Sequence, residues 1–217
     1  YEIEKYAFFS KAALSALPMI GFRPDLIHCH DWQTGLIPVY LKERFQGGDF
    51  YRGIKTVMTI HNLKFQGKWN IKDVQNITGL SDYFFTPDKL EFKKDANLLK
   101  GGIVYADAIT TVSDTYAEEI KTDFYGEGLN GLLRSKSHKL KGILNGIDYD
   151  LNNPLTDADI FVNYDVDSIE KKIENKLKLQ EVLGLEVNPD IPLIGIVSRL
   201  VSQKGFDLIT KAEKLLK

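Results

Sequence analysis

The sequence contains almost no cysteine and no excess of either charge. Cys29 is the single cysteine among 217 residues, so the chain cannot form an internal disulfide. One cysteine fits a reducing compartment, and we expect a cytoplasmic protein with Cys29 as a small core residue. The 28 basic and 30 acidic residues give a net charge of −2. Without a basic field, nucleic acid is not an expected partner.

Long apolar runs are missing as well. No window approaches the roughly 18 apolar residues of a membrane-spanning helix, and the first residues carry no signal segment. We therefore expect no membrane partner. Because the chain begins with Tyr1 rather than methionine, we also expect it to be a piece of a longer protein.

The sequence does contain alternating helix and strand patterns. A helical pattern over 2–20 precedes a short apolar strand over 26–30, a helix over 35–45 and a second strand over 54–60. This order predicts a βαβ unit, and hence an α/β fold with a parallel sheet.

Further segments extend this first half. Residues 62–88 show no clean period and hold many aromatic residues, which is typical of a long functional loop. We predict a helix over 93–105, a third strand over 108–112 and a short fourth strand over 142–144.

The composition changes at Asn145-Gly146, which is either a plain turn or a hinge. The following residues 149–167 are rich in Asn, Asp and Pro. They predict a surface linker between a first domain over 1–148 and a second domain over 168–217.

The second domain shows a helical pattern over 168–184, a β-branched run over 193–197 and a helical pattern over 205–217. The middle run predicts a buried parallel strand. Since one strand with its helices does not form a stable sheet, we expect this domain to be truncated. An open apolar surface near 193–217 would then favour association with a second copy or an expelled, mobile second half.

Two cations flank the end of that predicted strand. Arg199 follows it and Lys204 precedes the next helix, where the helix dipole repels a lysine unless an anion is bound. Ligands of open α/β sheets collect at this edge, so the turn favours a phosphate or pyrophosphate. A solvated basic turn is the alternative.

Polar residues also follow the first two strands. Asp31 and the pair His61-Asn62 come directly after them and predict ligand contacts at the same edge. His28 and His30 share one face of their strand, which would suit a metal. No further ligand is near in sequence, and we expect no metal site.

A glycine pattern, G-x-G-x-x-G, occurs at 126–131. In dinucleotide-binding proteins this pattern follows a strand, whereas here it follows a helical segment. We therefore predict a flexible loop rather than a dinucleotide site.

Six blocks of the sequence, in order, resemble bacterial glycogen synthases and plant starch synthases. They are D-L-I-H-C-H-D-W-Q-T-G-L at 25–36, T-I-H-N-L-x-x-Q-G at 59–67, Y-A-D-A-I-T-T-V-S at 105–113, Y-G-x-G-L at 125–129, L-N-G-I-D at 144–148 and S-R-L-x-x-Q-K-G at 198–205.

The resemblance implies part of a two-domain GT-B glycosyltransferase with Rossmann-like parallel sheets, both domains being incomplete here. Such enzymes are expected to transfer glucose from ADP-glucose to the non-reducing end of an α-1,4-glucan, with retention at the anomeric carbon. The resemblance implies no metal. It also implies no cofactor, because ADP-glucose is a substrate.

Expected site residues follow from the matching blocks. Arg199 and Lys204 would hold the diphosphate, His61 would contact the transferred glucose, and Asp31 would lie beside the sugar and the acceptor. Substrate-binding residues are expected at Asn62, Asn145, Gly146, Ser198 and Gly205.

Two blocks typical of the family, K-x-G-G-L and E-P-C-G-L with its essential glutamate, are absent. We therefore expect this chain alone to be inactive. Two alternatives stay open. One is a related UDP-glucose-dependent retaining enzyme, such as a sucrose synthase relative. The other is a non-catalytic glucan-binding remnant in which Trp69, Tyr83 and Phe84 stack on sugar rings.

Overall fold

The computed structural model describes residues 2–212 and divides the chain into two compact units, Tyr1–Gly146 and Ile147–Lys217. Residues 149–165 form turns and bends without a helix or strand. That the two units are parts of the two domains of a longer enzyme stays a prediction.

The first unit alternates helices and strands. Its helices are α1 Glu2–Met19, α2 Leu36–Tyr40, α3 Ile71–Thr78, α4 Leu98–Tyr105, α5 Asp114–Glu119 and α6 Asn130–Ser135. Its strands are β1 Leu26–His30, β2 Lys55–Ile60, β3 Lys68–Asn70, β4 Glu91–Phe92, β5 Asp95–Asn97, β6 Ala108–Thr111 and β7 Leu140–Gly142. A π-helical turn over Leu41–Phe45 completes the helix predicted over 35–45. None of the helices formed by residues 2–212 has the length and apolar character of a membrane span.

Four strands form a parallel sheet in the order β1-β2-β6-β7, which confirms the predicted α/β fold. Successive side chains of a strand point to opposite faces, and here the two faces differ in polarity. One face is apolar and fully buried, with Cys29, Met58, Ile60 and Ile109. The opposite face carries the exposed side chains of His28 and His30 and the half-buried Thr110.

Two glycines allow close contacts in the core, one between α4 and the apolar face of the sheet and one between α2 and α4. A Cβ atom on Gly102 of α4 would lie 2.6 Å from Cε of Met58 in β2. A Cβ atom on Gly35, just before α2, would lie 2.2 Å from the backbone oxygen of Leu98 in α4. At Gly35 the contact is with backbone, so no side chain fits there and this glycine sets the distance between α2 and α4. At Gly102, by contrast, the end of the flexible Met58 side chain would have to move.

The prediction of a long loop over 62–88 is wrong, because this range contains β3 and α3. Asn70 caps α3 by accepting a hydrogen bond from Lys72 N–H at 2.9 Å, and Gly79 ends the helix with a φ of 67°. Strand β3 also joins β5 and β4 in a small antiparallel sheet. Helix α3 has only eight residues, so its apolar period is too short to stand out among the surrounding aromatic residues.

The helix predicted over 93–105 begins later, at Leu98. Lys93 and Lys94 have φ angles of 54° and 73°, and they form the hairpin between β4 and β5. Asn97 then caps α4 by accepting a hydrogen bond from Lys100 N–H at 2.9 Å. The fourth strand is also displaced, since β7 precedes the predicted position by two residues.

The second unit has few regular elements among its described residues. They are a 3-10 segment Val166–Lys171, helix α7 Lys172–Val182, a 3-10 turn Ser202–Lys204 and helix α8 Phe206–Ala212. Gly184, with a φ of 67°, follows α7 and ends it as predicted. Residues 213–217 of the last predicted helix lie outside the described residues.

The prediction of a buried strand over 193–197 is wrong. These residues form no strand, and Ile194, Ile196 and Val197 are 72%, 54% and 103% exposed. A strand needs a hydrogen-bonded neighbour, and the described residues of the second unit form no other strand. The expected open apolar surface is present at these residues, whereas association with a second copy stays a prediction.

Gly35 allows a test of how tightly α2 and α4 pack. In Gly35→Ala the new methyl group meets the backbone of Leu98, which cannot yield without moving α4. We expect the free energy of unfolding to fall by roughly 1–3 kcal/mol, measured by urea unfolding. In the control, Gly131→Ala, the methyl group of α6 meets no atom within 4 Å and should be neutral or slightly stabilising. An equal loss in both variants would contradict this account.

Asp107, just before β6, joins Lys42 of the π-helical turn to Lys55 and Thr56 of β2. Its Oδ1 atom lies 2.8 Å from Nζ of Lys42 and 3.5 Å from Nζ of Lys55, and its Oδ2 atom accepts a hydrogen bond from Thr56 N–H at 2.9 Å. Burial raises the pKa of this carboxyl, but the hydrogen bonds from Lys42 and Thr56 and the two lysine charges outweigh burial and hold the pKa below its usual 3.8. The ionised group therefore stabilises the fold above about pH 3.8, and this contribution is lost as the pH falls through the folded pKa.

We expect Asp107→Asn to lower the free energy of unfolding by about 1–3 kcal/mol at about pH 7, and the difference from the unsubstituted protein to shrink as the pH is lowered below 3.8. Unfolding measured in a pH series from about pH 7 downward tests this. Asp49→Asn is the control, because Asp49 pairs with Arg52 at 2.8 Å but is 93% exposed. A loss in Asp107→Asn that does not depend on pH would sink the interpretation.

Candidate functional site

Two predicted site residues meet where β1 and β2 end. Parallel pairing places His30 opposite Thr59, so the chain leaves both strands at the same edge of the sheet. There Oδ1 of Asp31 accepts a hydrogen bond from the backbone N–H of His61 at 2.8 Å. The backbone N–H of Asp31 donates to the Thr59 carbonyl at 2.9 Å. Asp31 therefore joins the ends of two neighbouring strands.

The backbone of Asp31 is strained. Its φ of 53° and ψ of −171° are uncommon for a residue with a side chain, and such a conformation costs on the order of 1–3 kcal/mol. The surrounding hydrogen bonds hold it in place. Strain of this kind concentrates at functional sites, so the geometry supports the predicted importance of Asp31.

Histidine rings line the same edge. Nδ1 of His30 and Nε2 of His61 lie 3.0 Å apart, and the ring centroids of His28 and His30 lie 4.2 Å apart. Nε2 of His28 lies 2.6 Å from Oγ1 of Thr59, which lies 2.6 Å from Oγ1 of Thr110. A continuous polar row thus crosses β1, β2 and β6 on the open face of the sheet.

The turn after β1 is anchored by Trp32. Its ring contacts Tyr6 edge-on, with centroids 5.0 Å apart, and Trp69 at 5.1 Å. Gly67 lies directly against it, since a Cβ atom there would be 2.6 Å from the indole ring. Trp32 itself is 8% exposed. The D-W-Q-T-G and Q-G sequence blocks are therefore in direct contact.

The loop after β2 is held by a buried amide. Gln66, which is 3% exposed, donates hydrogen bonds to the carbonyl oxygens of Leu63 and Glu127, each at 3.1 Å. Its own carbonyl oxygen accepts from Asn97 Nδ2 at 2.7 Å. The Oη atom of Tyr116 accepts from Leu63 N–H at 3.1 Å. These bonds fix the chain on both sides of the site.

Asn62, predicted to bind substrate, takes part in this turn. Its Oδ1 atom accepts a hydrogen bond from Lys64 N–H at 3.1 Å. Asn145 and Gly146, predicted to form either a plain turn or a hinge, are exposed and lie at the end of the first unit. The structure thus brings Asp31, His61 and the adjacent Asn62 together within the first unit.

Four other predicted site residues lie in the second unit. Ser198, Arg199 and Lys204 are exposed, and Gly205 has a φ of 71°. Lys204 ends the 3-10 turn two residues before α8 begins, as predicted, whereas no strand precedes Arg199. Within residues 2–212 neither cation forms an ion pair, so both charges are free to meet an anion.

Two glycines of the pattern at 126–131, Gly126 and Gly128, serve the local fold. A Cβ atom on Gly126 would lie 2.4 Å from Cβ of Asn130, and Gly128 has a φ of 79°. Helix α6 follows, but no strand precedes the pattern, so the frame of a dinucleotide site is missing. Over residues 2–212, no group of three or more His, Cys, Asp or Glu side chains is arranged to hold a metal ion.

Sequence reasoning missed three residues that build this edge. From sequence, His30 has a role only in the rejected metal site, and Thr34 and Gln66 lie in the matching blocks without a predicted role of their own. Oγ1 of Thr34 accepts a hydrogen bond from His30 N–H at 2.6 Å and donates one to the His30 carbonyl at 2.8 Å. The available signal was the position of His30 at the last residue of a predicted parallel strand.

Comparison with known proteins places this chain in a family. Residues 1–135 match the family described as the starch synthase catalytic domain. A glycogen synthase from Lachnospira eligens is 66% identical over 209 residues, which are 96% of this chain and 44% of that protein. A glycogen synthase from Clostridioides difficile is 57% identical over 208 residues, 96% of this chain and 43% of that protein. The chain therefore spans less than half the length of these curated relatives.

A solved structure shares the fold. It is the catalytic domain of starch synthase IV from Arabidopsis thaliana bound to ADP and acarbose, which matches with a TM-score of 0.85 and 36% identity. The match covers 97% of this chain and 43% of that one. The predicted parallel-sheet α/β structure, as part of a GT-B glycosyltransferase, is confirmed. Because the family match covers more than half of its residues, the chain belongs to the starch synthase catalytic domain family.

Proposed function

We propose that this chain is part of a retaining glucosyltransferase that moves glucose from ADP-glucose to the non-reducing end of an α-1,4-glucan. The 66% identity to the Lachnospira eligens glycogen synthase carries the proposal. The Arabidopsis structure bound to ADP and acarbose supports an adenine nucleotide donor and a saccharide acceptor.

The transfer creates a charge problem that two cations of this chain can solve. The bond from the anomeric carbon to the diphosphate breaks, that carbon bonds to the acceptor hydroxyl oxygen, and the hydroxyl proton leaves with ADP. Negative charge grows on the diphosphate as the sugar becomes cationic. Arg199 offers a planar fork for two phosphate oxygens and Lys204 a point charge. In this proposal the two cations meet that charge without a metal ion, and ADP-glucose is a substrate, so no cofactor is involved.

The first unit supplies the groups proposed for the sugar. His61 contacts the transferred glucose, and Asp31 holds the His61 backbone beside it. The remaining proposed substrate-binding residues are Asn62, Asn145, Gly146, Ser198 and Gly205. For Asn62, Oδ1 accepts a hydrogen bond in the turn, whereas Nδ2 donates none within residues 2–212.

The proposal concerns a protein of the relatives' length. This chain spans 44% of the Lachnospira eligens enzyme, and we expect it to be inactive alone. We propose the cytoplasm as its location, because a chain with a single cysteine fits a reducing compartment. We also propose self-association through the truncated second domain, where Ile194, Ile196 and Val197 are exposed. The comparisons do not bear on this part of the proposal.

The test uses a chimera in which this chain replaces the matching 209 residues of the Lachnospira eligens glycogen synthase. Labelled glucose is followed from ADP-glucose or UDP-glucose into glycogen. We expect transfer from ADP-glucose, and a loss of about 10²–10³-fold in kcat for Arg199→Ala and for Lys204→Ala. Lys211→Ala is the matched control, because Lys211 is an exposed lysine of α8 for which we propose no role in the reaction.

Each outcome decides between the candidate functions. Normal turnover in Arg199→Ala or Lys204→Ala would overturn the proposed phosphate contacts. Transfer from UDP-glucose alone would favour the related UDP-glucose-dependent enzyme. If glucose is transferred from neither donor while glycogen still binds, the proposed enzyme function is wrong, and a glucan-binding function takes its place.

A further inference from the structure

A second histidine holds the ring of His61. We propose that His30 is a positioning residue for His61, because the hydrogen bond between their rings determines which His61 nitrogen faces the substrate. This inference rests on the proposed glucosyl transfer. It gives His30 a role that neither its sequence block nor its exposure indicates.

The geometry of the two rings carries the inference. Nδ1 of His30 and Nε2 of His61 lie 3.0 Å apart, the ring centroids are 5.2 Å apart, and the ring planes are inclined by 29°. At this distance one nitrogen donates and the other accepts. The bond occupies Nε2 of His61, and Nδ1 of His61 forms no hydrogen bond within the described residues. Nδ1 is therefore the nitrogen available to a ligand.

His30 is itself held from two directions. Thr34 Oγ1 bonds both its backbone N–H and its carbonyl, at 2.6 and 2.8 Å. Its ring lies against that of His28, whose Nε2 atom bonds Thr59 Oγ1 at 2.6 Å. Thr34 thus fixes the backbone of His30 and His28 packs against its ring, so the ring of His30 can orient that of His61.

The charges around His30 favour its neutral form. Burial lowers its pKa, the nearby rings of His28 and His61 lower it further, and the carboxylate of Asp31 opposes them. Because the net shift is downward, His30 is neutral at about pH 7. In a neutral ring one nitrogen donates and the other accepts, so Nδ1 of His30 can take either role toward Nε2 of His61.

Backbone and ring of His61 are thus fixed separately. Asp31 bonds the backbone N–H, and His30 bonds the ring. Without His30 the ring turns about its side-chain bonds, and either nitrogen faces the substrate. A misplacement of about 1 Å can cost about 10²-fold in rate, with little effect on binding of the rest of the donor.

The test compares His30→Asn with His30→Gln in the same chimera. Asparagine carries its amide where the imidazole has Nδ1, whereas glutamine carries it further out, where the imidazole has Nε2. Both are polar, so any effect of merely losing the ring is common to both. We expect His30→Gln to lower kcat about 10–100-fold with little change in KM for ADP-glucose, and His30→Asn to recover most of kcat.

His138→Asn is the matched control and should leave transfer unchanged, since His138 is exposed in the 3-10 turn Ser137–Lys139. Thermal unfolding of each variant checks the fold. The inference is overturned if His30→Gln turns over normally, or if both His30 variants lose kcat equally while remaining as stable as the control.

A second readout does not depend on transfer. In protein labelled with ¹⁵N-histidine, the ring signals of His61 are identified by their loss in His61→Gln. We expect the Nε2 signal of His61 to be that of a hydrogen-bonded nitrogen in the unsubstituted protein and in His30→Asn, and to lose this hydrogen bond in His30→Gln. Unchanged His61 signals in His30→Gln would overturn the inference even with transfer intact. Absence of transfer in the unsubstituted chimera would sink the proposed function alone.

Discussion

Parallel pairing of β1 with β2 is the constraint on which the rest of the first unit depends. The crossover through α2 makes both strands run the same way, so residues about thirty positions apart in sequence leave the sheet side by side. That single arrangement brings Asp31 to the backbone of His61 and the ring of His30 to the ring of His61. It also exposes a polar face, whose row of histidine and threonine side chains continues into β6.

Much of this arrangement could be predicted from sequence because its elements are strongly periodic. Helix α1 and strands β1, β2 and β6 follow from apolar spacing, and the positions of Asp31 and His61 follow from the rule that ligands gather at the carboxyl edge of parallel strands. The contacts between them could not be predicted. Whether Asp31 reaches the His61 backbone depends on register and on an unusual φ at Asp31, and neither leaves a trace in residue types.

Other errors had different physical causes. Lys93 and Lys94 have helix-compatible side chains, but their positive φ angles form a hairpin, which residue propensity does not reveal. The β-branched run over 193–197 has strand propensity, yet a strand exists only when a neighbour supplies hydrogen bonds, and the described residues of its unit supply none. The roles of Arg199 and Lys204 therefore rest on the family resemblance more than on local geometry.

The contact between Gly67 and Trp32 links two sequence blocks that each border the site. A side chain at 67 would occupy the space of the indole ring, and that ring follows directly on Asp31. A larger residue at 67 therefore demands a smaller ring at 32, or a shift of the very turn that carries the carboxylate. We therefore expect substitutions at positions 67 and 32 to occur together among related sequences, because a substitution in one block requires a compensating substitution in the other.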